Sequence, residues 1–124
     1  MPVPILRQAD VLVASIQAAL SDQDLVQLRD DFAEQIGRHR SLGVVIDLTA
    51  LDVLDSFATR TLQSIAYAAR LRGANTMVVG IQPEVAFAMV QLGLSLDGVA
   101  TALDLEDGLA ELAIIARRRG HRVR

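Results

Sequence analysis

The spacing of apolar positions changes several times along this chain, and each change marks an element. Two short apolar runs, residues 3–7 and 11–16, read as strands, with Gln8-Ala9-Asp10 as the turn between them. Leu25, Leu28, Phe32 and Ile36 then recur at spacings of three and four, the stripe of an amphipathic helix. Ser21 or Asp22 can cap its start and Gly37 its end. Residues 43–48 form a continuous apolar run of strand length, which suits a strand buried on both faces. A second helix is expected over 56–71, with Phe57, Leu62, Ile65, Ala66 and Ala69 inward and Gly73 beyond its end. Residues 75–79 read as another buried strand, closed by Gly80. Pro83 then opens a helix that stops at Gly93. A short strand at 99–103 and a helix at 104–119, with Leu105, Leu109 and Leu112 inward, complete the chain.

The order β-β-α-β-α-β-α-β-α predicts an α/β fold: a central mixed, mostly parallel sheet flanked by about four helices, with right-handed crossovers. Residues 3–116 should form a single domain, and 117–124 a loose basic tail.

Composition narrows the chemistry. Of 124 residues 52% are hydrophobic but only 3% aromatic, so the core must be built from Val, Leu, Ile and Ala. Aromatic stacking surfaces for nucleic acid are not expected, and a net charge of −3 gives no reason to seek DNA or a membrane surface. Cysteine is absent, which removes disulfides, thiolate metal sites and thiol nucleophiles. Lysine is absent as well, all 12 basic residues being arginine, which removes Schiff-base chemistry and the P-loop lysine. No apolar run approaches the roughly 20 residues of a membrane span, and a cytoplasmic location is expected.

The segment from Asp47 to Arg60 holds the densest candidate chemistry. Asp47, Asp52 and Asp55 precede Ser56, which stands where the second helix begins. Ser56 can serve as an ordinary N-cap. It can also accept a phosphate, because free amides and the helix dipole favour an anion there. A partner docked over Asp52, Asp55, Ser56 and Arg60 would feel that added charge. A Mg²⁺ or acid–base reading of the three aspartates lacks a histidine and a converging geometry, so no metal and no cofactor are expected. The turn Val79-Gly80-Ile81-Gln82-Pro83 could cradle phosphate, but one glycine without lysine fits a tight turn better. His39 and His121 show no ligand spacing, and the arginines from Arg117 onward suit the C-terminal end of a helix.

Together these stretches resemble the STAS-domain family, and within it the RsbS-type scaffolds of the bacterial stressosome. The resemblance rests on Val3-Pro4-Ile5-Leu6, on residues 43–48, on Val53-Leu54-Asp55-Ser56-Phe57-Ala58-Thr59-Arg60, and on Gly80-Ile81-Gln82-Pro83-Glu84-Val85-Ala86. Leu92-Gly93-Leu94 and Gly98-Val99-Ala100-Thr101 continue it. It implies a non-enzymatic regulatory scaffold. Ser56 would be phosphorylated by a serine/threonine switch kinase of the RsbT type, which the scaffold holds and then releases. Larger RsbR-like sensor paralogues would be co-assembly partners, with self-association into a homodimer or a large particle. Little sequence precedes the first strand, which favours the scaffold role over the sensor role. Thr59 and Thr76 are candidates for a second phosphate. A conventional monomeric anti-sigma-factor antagonist is the neighbouring alternative, and a nucleotide-binding or phosphotransfer module a remote one.

Overall fold

The computed structural model describes residues 3–18, 20–39 and 41–123. The side chains of His39, Ala116 and residues 119–123 lie outside the described part, as do the expectations placed on His39, His121 and the far end of the basic tail.

Nine elements follow in the expected order: β1 (Ile5–Gln8), β2 (Val11–Ser15), α1 (Asp22–His39), β3 (Gly43–Asp47), α2 (Ser56–Leu71), β4 (Asn75–Val79), α3 (Pro83–Gln91), β5 (Ala100–Ala102) and α4 (Leu105–Val123). The sheet order is β1-β2-β3-β4-β5, the order of the chain itself. β1 pairs antiparallel with β2, Leu6 opposite Val13. The remaining pairs are parallel, with Val45 opposite Val13 on one side and Met77 on the other, and Met77 opposite Ala100.

This order dictates the layers. Three successive crossovers advance across the sheet in one direction, and with a common hand they must all lie on one face. Leu28, Phe32 and Ile36 of α1, Leu62 and Ile65 of α2, and Val85 and Met89 of α3 accordingly share one core with Leu12, Val44, Ile46 and Val78 of the sheet. The other face would be bare without α4, whose Leu112 packs with Val13, Val45, Met77 and Val79, joined by Leu105 and Leu109. Gly108 allows this helix to lie close. A Cβ there would stand 2.7 Å from a γ carbon of Val79.

Three boundaries differ from expectation. α1 does not stop at Gly37 but runs on to His39, because Leu25, Leu28, Phe32 and Ile36 anchor it to the core and one glycine costs a helix only about 1 kcal/mol. The expected loose tail is helical through Val123. β5 is shorter than expected and mostly exposed, as an edge strand.

Candidate functional site

The loop between β3 and α2 is held at both ends and at its centre. At its start the Asp47 carboxylate accepts from the Thr49 backbone N–H at 2.9 Å and from the Thr49 hydroxyl at 2.6 Å, an Asx-type turn. In the middle, Leu51 and Leu54 are buried, over an apolar hollow lined by Ile16, Leu20, Leu25 and Leu62. Asp52 and Val53 between them, and Asp55 after them, are exposed. The loop therefore fixes its apolar residues in the core and presents its acids outward.

At its end α2 begins. The N-cap is Asp55, not Ser56: the Asp55 carboxylate accepts from the Ala58 N–H at 2.8 Å. Its backbone carbonyl accepts from the Thr59 N–H at 2.9 Å. A carboxylate suits this place doubly, as acceptor and as an anion at the positive end of the helix dipole. Ser56 is thus released from capping. It is the first residue of the helix, half-buried, and among the described residues its hydroxyl has no hydrogen-bond partner. The N–H groups of Ser56 and Phe57 belong to the first turn, where helical geometry supplies no carbonyl. Arg60, one turn on, shares its side of the helix and is exposed.

A second loop supports the first. Gly80, at φ +75°, ends β4 directly against Thr49; a Cβ at Gly80 would lie 2.0 Å from the Thr49 hydroxyl. The Gln82 side-chain amide donates to the Thr49 carbonyl at 2.7 Å. Pro83 then occupies the start of α3, where its missing N–H is harmless. The glycine turn is filled by Thr49, so its role is to bring two loops together and not to cradle a phosphate. This contact was missed from sequence, since Gly80 and Thr49 are distant along the chain.

The three aspartates do not converge. Asp47 is turned to Thr49, Asp55 to the amides of α2, and Asp52 points outward. Among the described residues no group of three or more His, Cys, Asp or Glu side chains is placed to hold a metal. The two threonines expected as further acceptors are buried. Thr59 is 1% exposed and donates its hydroxyl to the Asp55 carbonyl at 2.9 Å. Thr76, 5% exposed in β4, faces inward, and its hydroxyl has no partner among the described residues. Neither offers an oxygen to an enzyme without local unfolding. No helix among the described residues is long and apolar enough to cross a membrane.

Comparison with known proteins agrees with this architecture. The STAS domain family matches residues 3–108. RsbS of Moorella thermoacetica, solved as a serine-to-glutamate variant, is 40% identical, with 93% of this chain and 97% of that one covered at a TM-score of 0.80. A chain from the stressosome, described as a signal integration and transduction hub, is 37% identical over 92% of this chain and 99% of its own, with a TM-score of 0.74. The RsbT co-antagonist protein RsbRA of Bacillus subtilis (strain 168) is 28% identical over 100 residues, 81% of this chain. The chain spans about a third of the length of the curated relatives it matches, 36% of RsbRA and 33% of RsbRC. The chain belongs to the STAS-domain family, in its RsbS-type branch.

Proposed function

We propose that this chain is a non-enzymatic scaffold of a stressosome-type assembly that holds a serine/threonine switch kinase and releases it when Ser56 is phosphorylated. The observation that carries the reading is the division of labour at the start of α2: Asp55 caps the helix, so the Ser56 hydroxyl is unengaged at a helix N-terminus. A phosphate there adds roughly −1.5 to −2 charges beside free amides and the dipole, which tolerate it. The fold survives, while the potential over Asp52, Asp55, Ser56 and Arg60 changes sharply. A partner seated on that patch loses complementarity.

The kinship to RsbS supports the scaffold role. The kinship to RsbRA and RsbRC, named as RsbT co-antagonists, supports an RsbT-like kinase and RsbR-like paralogues as partners. The Ser-to-Glu form in which the Moorella protein was solved introduces a negative charge, as phosphorylation would. Burial of Thr59 and Thr76 favours Ser56 over these two as the acceptor in the folded protein.

The test is phosphosite mapping by mass spectrometry after incubation with ATP and the cognate kinase, together with kinase retention on immobilised scaffold. A single phosphate on Ser56, with loss of the kinase, is expected. Ser56→Ala should bind the kinase and keep it. An unmodified Ser56, with a kinase shown to be active on another substrate, would overturn the reading.

A further inference from the structure

Ser41 is 4% exposed, and among the described residues its hydroxyl has no hydrogen-bond partner. Buried hydroxyls normally find one, so the exception calls for a reason. Ser41 stands in the wall of a hollow of about 490 Å³, between the end of α1, the entry to β3 and the end of α2. Ile36, Gly37, Leu42, Arg72 and Gly73 line the rest of it. Its volume falls within the range of small-molecule sites, about 300–1,000 Å³. It lies at the opposite end of α2 from Ser56, about 24 Å away at 1.5 Å per residue.

Arg72 supplies the charge of this hollow. Its side chain lies across α1 at Gly37, where a Cβ would stand 2.8 Å from Nη1 of Arg72 and 3.6 Å from its Cζ. The glycine inside α1 thus leaves room for the guanidinium to approach the helix backbone. A guanidinium carries five N–H donors and stays charged, yet among the described residues this one has no ion-pair or hydrogen-bond partner. Glu34, the last acid of α1, pairs with Arg38 instead. The negative ends of α1 and α2 both fall here, and they account for a cation at this place. They do not account for a buried, unengaged hydroxyl in the same hollow.

We propose that this hollow binds a small organic monocarboxylate. The Arg72 guanidinium holds the carboxylate through two parallel N–H donors, and the Ser41 hydroxyl donates to one of its oxygens. A short hydrocarbon body lies against Leu42, which is 47% exposed, and the edge of Ile36. The side at Gly73 gives it space, since nothing stands within 4 Å of the position a Cβ would take there. The field selects a single charge. One guanidinium set against two negative helix ends compensates a monoanion, but not the roughly −1.5 to −2 charges of a phosphate group. Phosphate sites draw on helix N-termini, whereas both helices that reach this hollow end in it. The site shares no residue with the Ser56 patch, so it stands or falls apart from the reading of that serine.

The test is an NMR titration of the full chain, labelled with ¹⁵N, with sodium butyrate as the probe and with neutral butyramide and inorganic phosphate for comparison at matched ionic strength. Butyrate should give saturable amide shifts at Gly37, Ser41, Leu42 and Gly73, with a Kd of about 1–10 mM for so small a ligand. Butyramide and phosphate should each bind about tenfold or more weakly. Arg72→Gln should weaken butyrate about tenfold or more, through loss of the charged donors. Ser41→Ala should weaken it about threefold or more while leaving the urea midpoint unchanged or higher, because the hydroxyl it removes has no partner in the fold. A serine with a purely structural role would show the reverse, a lower midpoint and an unchanged Kd. Unaltered amide signals elsewhere would show that each variant is folded. No saturation by about 50 mM butyrate, equal binding of butyramide or phosphate, or an unchanged Kd in either variant would each overturn the proposal.

Discussion

Replacing Gly80 with alanine tests whether the Ser56 loop is set by its contact with the β4–α3 turn. Two penalties combine. Gly80 sits at φ +75°, a left-handed conformation that costs a residue with a Cβ about 1–2 kcal/mol. The new Cβ would also lie 2.0 Å from the Thr49 hydroxyl and 3.1 Å from the Thr49 Cβ and backbone nitrogen. Thr49 cannot simply turn aside, because its hydroxyl and N–H are both held by Asp47 and its carbonyl by Gln82. Forcing extra volume into such a contact costs about 1–3 kcal/mol, for a total of about 2–5 kcal/mol. Gly93 supplies the control. It has φ +69° but nothing within 4 Å of the position a Cβ would take, so Gly93→Ala should show the backbone penalty alone, about 1–2 kcal/mol. Urea unfolding of both variants, with a common slope, reads the difference. Adding Thr49→Ala to Gly80→Ala should recover part of it, because the 2.0 Å contact disappears while those at 3.1 Å remain. Phosphorylation of Ser56 should slow in Gly80→Ala and not in Gly93→Ala. If Gly80→Ala is no more destabilising than Gly93→Ala, the two loops do not brace one another and the reasoning fails.

Other predictions concern single groups. Asp55→Ala should cost about 1 kcal/mol through loss of the cap, whereas Ser56→Ala should stay within about 0.5 kcal/mol by the same denaturant assay. Thr76→Val should leave stability unchanged or raise it by about 1 kcal/mol, since it removes a buried hydroxyl that has no partner, and phosphate incorporation should be unaffected. Phosphorylated protein should melt no lower than unmodified protein by calorimetry, and Arg60→Ala should reduce any gain, because Arg60 stands one helical turn from the phosphate. Asp24 should titrate below the ordinary 3.8, because the Ser21 hydroxyl and then the Ser21 backbone N–H hydrogen-bond the carboxylate and favour its charged form. Its lowered folded-state pKa means that its contribution is present above the unfolded value and lost as pH falls through the folded one. An NMR titration of Ser21→Ala should return Asp24 toward 3.8.

Much of this fold could be read from residue spacing because the central strands β3 and β4 are buried on both faces and leave apolar runs. β4 and α2 fall where the pattern places them, and Pro83 marks the start of α3. The reading weakened where a local signal competed with tertiary packing. Gly37 looked like a stop, yet the apolar stripe before it holds α1 to the sheet and the helix continues. At the Ser56 loop, Ser56 reads as the cap from sequence, yet the adjacent Asp55 favours that place as strongly. The structure assigns the cap to the carboxylate. Gly108 inside α4 gave no sign of its purpose, since the Val79 side chain it accommodates comes from another element. The same holds for Gly80 and Thr49. Contacts between distant segments carry no periodicity, and these are the ones that brace the site.

The strand order has a consequence for synthesis on the ribosome. Because the sheet is numbered as the chain is read, every strand that emerges finds its neighbour already made, and none must be threaded between two strands that have paired. β1 to β3 can associate with α1 while α2 is still being translated. Gly80 and Gln82, which brace the loop bearing Ser56, arrive only with the turn after β4. α4 comes last and closes the remaining bare face. A nascent chain stalled before β4 would carry the serine without the turn that positions it. On this topology, the loop bearing Ser56 is braced late in translation, after the sheet that supports it is largely in place.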